Sequence, residues 1–344
     1  MNPRNVILAI GLSLALGGAS RAVDTVKADS GTYTGRVTAM TRTEVTLDRS
    51  GVPRKIPANE IVMIYFDDEP TTLKTTARVH LSAGRYNDAL EALQKLQPAD
   101  LPRAEIQQDV AFYKALCSAR LALGGTGTLE SAKDLMSAFV HGNVNSYHFY
   151  EGCEVLGNLY VALQQYADAE KYYVQLEKSP WPEYQMRGSV VIGRARLAQG
   201  KTAEALQAFN QVLALQATTD QARSQHLAAK LGIARCSAAT GEPDEALEMV
   251  QQIIANADPE DVELHARAYN TLGTTLRKAG KTKEALLAFL HVDVLYFAVP
   301  ETHAEALANL DELWTELHKT EQAVRARRIL QEQYQNSPWA KKGG

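Results

Sequence analysis

The sequence predicts a mainly α-helical solenoid of about seven stacked helical hairpins, preceded by a small β module. Three observations predict it. A short segment running from a turn residue to an Ala recurs seven times between residues 84 and 324. Residues 24–66 lack that pattern and alternate β-forming apolar residues with polar ones. Across 344 residues, 45% hydrophobic and 22% charged is the composition of a folded chain, not a disordered one.

In chain order, residues 1–22 read as an export signal. Arg4 supplies a positive start, Val6 to Leu16 is apolar, and Ser20-Arg21-Ala22 offers small residues for cleavage after Ala22. The apolar stretch is short of the roughly 20 residues that span a bilayer. No Cys follows it, so a lipid anchor is not expected. Loss of Arg4 and Arg21 takes the net charge from −4 to −6. The expected location is the periplasm or cell envelope, with no stable membrane span in the mature chain. Neither charge favours nucleic acid as a partner. Three cysteines, Cys117, Cys153 and Cys236, lie among small residues without a CxxC pair and are expected as buried packing residues.

Residues 24–66 form the β module. Tyr33 to Met40, Glu44 to Leu47, Arg54 to Ile56 and Ile61 to Phe66 read as strands, with Asp48-Arg-Ser-Gly51 as a turn. The Gly35 kink, the Val45/Leu47 alternation and the Pro57-Ala-Asn-Glu60 turn before a last apolar strand resemble Sm-like and SH3-like barrels. That resemblance implies a small curved sheet that either binds a partner or caps the first helices. Its six basic and eight acidic residues up to Glu69 argue against RNA. Residues 67–72, with Asp67-Asp-Glu-Pro70, are the linker, and their acids suit the start of a helix.

Residues 73–338 carry the repeats. The recurring segments begin at Gly84, Gly127, Gln164, Gly200, Gly241, Gly280 and His318, giving spacings of 43, 37, 36, 41, 39 and 38. A Gly at the start of the segment provides the left-handed C-cap of a first helix, and the second helix begins at Thr, Pro or an acid before Ala. Gly157, Gly193 and Gly273 each precede the turn residue by seven. The unit resembles the tetratricopeptide repeat. The resemblance is closest in units three to six, and the period near 39 exceeds that family's usual 34. It implies helical hairpins that bury a continuous core only by stacking. The seventh unit is the expected cap, and residues 339–344 the tail.

In this family the first helix of each hairpin lines a concave groove. The resemblance therefore implies groove positions for Arg78, Asn158, Arg194 and Arg235, and, one turn earlier, for Lys114 and Asn270. Such residues would hold a partner carboxylate through charge-assisted hydrogen bonds. Alternatively, the arginines are solvated or paired within the chain, and Glu154 stands where a base would be preferred. A second candidate is the aromatic run Tyr147, Phe149 and Tyr150, either as a recognition pocket or as core, with Ser146 as helix N-cap.

No HExxH, GxSxG or Walker loop occurs, and Gly124-Gly-Thr-Gly127 reads as an expanded hairpin loop. No catalysis, cofactor or metal site is expected. The leading functional expectation is an exported scaffold binding a peptide or protein in its groove. The alternative is a structural component of an envelope complex that acts through self-association or the β module. An enzyme or carbohydrate-binding module would need carboxylates or aromatics gathered in one pocket.

Overall fold

The computed structural model describes residues 23–342. The expected export signal and residues 343–344 lie outside the described residues.

Five antiparallel strands come first: β1 (Asp24–Ala28), β2 (Gly31–Met40), β3 (Glu44–Arg49), β4 (Val52–Pro57) and β5 (Ile61–Tyr65). Their order in the sheet is β4-β3-β2-β1-β5, so β5 returns to pair with β1. A one-turn 3₁₀ helix, Ala58–Glu60, leads into β5. The period-2 pattern works as expected, with Val26, Val37, Val45, Leu47, Ile56 and Ile64 all buried on one face. β2 serves two partners: Asp24 pairs with Gly35, and beyond it Arg36 pairs with Asp48. The strand can cross over only because residue 35 is Gly. A Cβ there would lie 2.5 Å from the Asp48 carbonyl oxygen.

After a π-helical stretch, Thr72–Ala77, fourteen of the helices form seven hairpins. They are α1 (Arg78–Ser82) with α2 (Tyr86–Gln94), α3 (Ala104–Leu123) with α4 (Leu129–Gly142), and α5 (Phe149–Ala162) with α6 (Tyr166–Glu177). Next come α7 (Pro182–Ala198) with α8 (Thr202–Ala214), α9 (Asp220–Thr240) with α10 (Pro243–Asn256), α11 (Val262–Lys278) with α12 (Thr282–Leu295), and α13 (Pro300–Glu316) with α14 (Thr320–Gln333). A short α15 (Pro338–Lys342) follows.

The hairpin turns share one geometry. Gly84, Gln164, Gly200, Gly241, Gly280 and His318 all have φ between +57° and +100°. The next N–H in each case donates to a carbonyl five residues back, as Lys201 does to Arg196 at 2.9 Å. In the second hairpin this position is Gly125 (φ +93°), with Thr126 N–H on Leu121 O. The expected start at Gly127 is therefore two residues late, because Gly127 belongs to an extension of that turn. Ser146 also departs from expectation. Helix α5 begins at Phe149, and Ser146 Oγ accepts from the His148 N–H within the preceding turn.

Core packing explains the internal glycines. A Cβ at Gly157 would sit 2.2 Å from the Tyr173 ring, at Gly193 2.5 Å from Phe209, and at Gly273 2.7 Å from Phe289. Each aromatic lies 16 residues after its glycine, on the second helix of the same hairpin. The bare backbone of one helix is thus the socket for the ring of the other.

The β module lies across the N-terminal ends of α3, α5, α7 and α9. Arg103, just before α3, donates twice to Asp24 at 2.9 Å and pairs with Asp68 at 2.7 Å. Arg42 covers the Phe149 ring at the start of α5, Asn59 donates to Glu183 in α7 at 2.7 Å, and Gln221 in α9 reaches Asp29 at 3.4 Å. At the other end, the Asn336 amide donates to Ala122 O and Gly127 O at 2.9 and 3.0 Å. The exit of the seventh hairpin therefore rests on the turn of the second, and the solenoid completes one turn upon itself.

Candidate functional site

The odd-numbered helices α5 to α13 line the inside of this turn, and their side chains meet across it. Arg187 (α7) donates to Glu154 (α5) at 2.8 Å. Arg267 (α11) holds Glu263 on its own helix at 2.9 Å and Glu301 (α13) at 2.8 Å. Two contacts skip a hairpin. Arg194 (α7) reaches Glu263 (α11) at 3.5 Å, and Arg235 (α9) reaches Glu305 (α13) at 3.1 Å. Such reach requires tight curvature, so the groove is narrow and walled by alternating charges.

Electrostatics single out one member. Glu263 is drawn down to about 2, first by Arg267 against the cost of its desolvation. Glu301 is lowered by the same arginine. Arg187 is raised, chiefly by Glu154. Arg194 moves the other way, to about 10, because loss of water and the nearby Arg267 and Arg235 outweigh its acids. It remains protonated at neutral pH, 30% exposed, with one long contact to a carboxylate already shared with Arg267. Arg194 is the under-compensated cation of the groove.

The expected site residues separate into three groups. Asn158, Arg194 and Arg235 lie on the inner helices. Asn158 Oδ1 accepts from Tyr173 OH at 2.7 Å, and Arg235 is engaged by Glu305. Lys114 is half-buried on α3, with no ion pair among the described residues. Arg78 and Asn270 are corrections. Arg78 is 1% exposed, ion-paired to Glu69 and, at 2.7 Å, to Asp109, so it belongs to the junction between module and solenoid. Asn270 is fully buried, donating to Thr302 O at 2.8 Å and to Glu305 at 3.2 Å.

The aromatic run is a further correction. Tyr147, Phe149 and Tyr150 are all buried. His148 stacks on Phe112 at 3.9 Å between rings and lies against Tyr147, while Tyr150 meets Trp181 and Tyr184 edge-on. These rings close the core where the module meets α3 and α5. Arg187, Glu263, Arg267, Glu301 and Glu305 were not among the expected site residues. Their sequence signal is spacing on one helix face: 187 and 194, 263 and 267, 301 and 305. All three cysteines are buried and free, and burial pushes Cys117 and Cys153 up to about 12.

Two family profiles, both described as tetratricopeptide repeat, match residues 153–183 and 196–268. The chain carries tetratricopeptide repeats. Solved structures agree at the level of fold. A tetratricopeptide repeat protein from Parabacteroides merdae is 17% identical, covering 79% of this chain and 95% of its own, with a TM-score of 0.51. The apo quorum sensor NprR from B. thuringiensis is 17% identical over 74% and 73%, at 0.53. A Rap protein complexed with competence and sporulation factor is 13% identical over 79% and 77%, at 0.51. Among curated proteins there is no significant match. The tetratricopeptide architecture places the charged groove on the inner helices, where successive repeats present side chains to one axis.

Proposed function

We propose that this protein is an exported, non-catalytic scaffold that takes an acidic peptide or protein segment into the groove of its tetratricopeptide solenoid. The observation that carries the reading is Arg194, a partly exposed guanidinium whose positive charge the surrounding carboxylates do not fully offset. A partner carboxylate at that point would relieve the repulsion from Arg267 and Arg235. The Rap protein of similar fold was solved in complex with competence and sporulation factor, which supports occupancy of such a solenoid. Export rests on the apolar stretch Val6 to Leu16 and the Ser20-Arg21-Ala22 site. The strand order and the 3₁₀ turn before β5 support an SH3-like or Sm-like module.

The test is capture from an envelope fraction by the chain lacking residues 1–22, set against its Arg194→Ala variant. A partner held by the parent, released by salt and lost by a folded variant supports the groove. The same partner held equally by both rules it out. A second reading, assembly through self-association, is favoured by an exposed apolar stripe on and just after α12: Leu287, Val294, Leu295 and Phe297 are 58–62% exposed. Sedimentation of the parent and of Leu295→Glu at several concentrations decides between monomer and oligomer.

A further inference from the structure

The β module sorts its charges. Asp24, Asp68 and Glu69 face the solenoid and hold Arg103 and Arg78. Asp29 meets Gln221, Glu44 pairs with Lys55, Glu60 accepts from Ser30, and Asp48 accepts from the Gly51 N–H. Arg36, Arg49 and Arg54 have no ion pair among the described residues. Two of these are neighbours. Cross-strand pairing sets Leu47 opposite Arg54 and Arg49 opposite Val52, so both arginines extend the face that elsewhere holds Val45 and Ile56. Here the apolar filling stops. Arg49, Arg54 and Tyr33 wall an open depression of about 690 Å³ over Leu47 and Val52.

The depression has the parts of an anion site. The Arg54 guanidinium lies 4.3 Å above the Tyr33 ring, which restrains its plane and leaves its edge free. A restrained guanidinium loses little freedom when it takes a carboxylate bidentately. Two exposed like charges on adjacent strands repel, and an arriving anion reverses that cost. The exposed Val52 side chain beside the arginines favours an anion carried next to an apolar group. Strand addition at this edge is disfavoured, because Pro53 and Pro57 of β4 have no N–H to donate. Recognition therefore falls to side chains.

We propose that this end of the β module is a second binding site, independent of the Arg194 groove. It takes an acidic peptide segment whose carboxylates meet Arg49 and Arg54 and whose apolar side chain covers Val52. The probe is a fluorescein-labelled Glu-Leu-Glu-Leu-Glu peptide, titrated by anisotropy against the full chain. In a chain already carrying Arg194→Ala, which removes the contact proposed for the groove, Arg49→Glu with Arg54→Glu is expected to weaken the remaining binding by about tenfold or more. Amide shifts at Thr34 and Leu47 in the unmodified protein locate the peptide without reliance on any variant. Equal binding by the charge-reversed protein, or by a Lys-Leu-Lys-Leu-Lys peptide, overturns the proposal. So does displacement by inorganic phosphate at matched ionic strength, which would mean that charge alone is read. Binding to phosphatidylglycerol vesicles in place of the peptide would assign the site to a lipid surface and also overturn it.

Discussion

At the scale of single residues, the hairpin turns give the sharpest expectations. Gln164 and His318 occupy the left-handed position that Gly fills in the other hairpins. A side chain there costs about 1 kcal/mol relative to Gly. Gln164→Gly and His318→Gly should each raise the urea midpoint, and Gly200→Ala should lower it by a similar amount. The buried glycines predict the opposite size preference. Gly193→Ala drives a methyl into Phe209 and should cost about 1–3 kcal/mol by the same measurement. These positions were legible because the turn demands a backbone conformation that few residues tolerate. The aromatic partners Tyr173, Phe209 and Phe289 were not anticipated, although the sequence holds their signal in a constant 16-residue offset from Gly157, Gly193 and Gly273. Gly127 misled because a three-glycine turn offers several left-handed positions, and only the hydrogen bond from Thr126 picks out Gly125.

Between elements, the junction of module and solenoid depends on a buried charge cluster. Arg78 lies between Glu69 and Asp109, with His148 3.4 Å from Asp109 and 3.7 Å from Glu151. Arg78→Met would leave two buried carboxylates uncompensated and should cost about 3–5 kcal/mol in chemical denaturation. Burial alone would push His148 down, but its contacts with Asp109 and Glu151 carry it above the usual imidazole value. A histidine raised in the folded state contributes stability fully present below about 6.5 and lost as pH rises through the folded value. Glu69 is also raised, by burial against Arg78, so its contribution is lost upward from the carboxylate range. Glu151, which burial alone would raise, is lowered through His148, and its contribution disappears as pH falls through its folded value. Denaturation midpoints from pH 6 to 9 should therefore decline, and His148→Gln should flatten that decline. The repeat pattern placed Arg78 on a first helix, and Arg78 does begin α1, but α1 is not among the helices that line the groove. The module docked against that helix and turned its side chain into a core residue. Neighbouring repeats do not encode that event.

For the whole molecule, curvature decides which charges meet. Arg194 and Glu263 are 69 residues apart, and Arg235 and Glu305 are 70 apart. Local pattern could place each on an inner helix face, but their pairing depends on how far each hairpin rotates against the last. That sum accumulates over several interfaces and is invisible in any one repeat. The same rotation brings Asn336 onto the second hairpin. Asn336→Ala, or Gly125→Val against the Gln333 carbonyl, should loosen this contact, seen as a larger radius of gyration in small-angle scattering and faster amide exchange at Thr126. An open array of hairpins gains or loses a unit with effects confined to the neighbours. Here an added hairpin of roughly 39 residues between α8 and α9 would carry Asn336 past Ala122 and slide Arg194 out of step with Glu263. The number of units is therefore a fixed circumference, and duplication or deletion, the ordinary route by which repeat proteins change length, is closed to this one unless the seam is rebuilt at the same time.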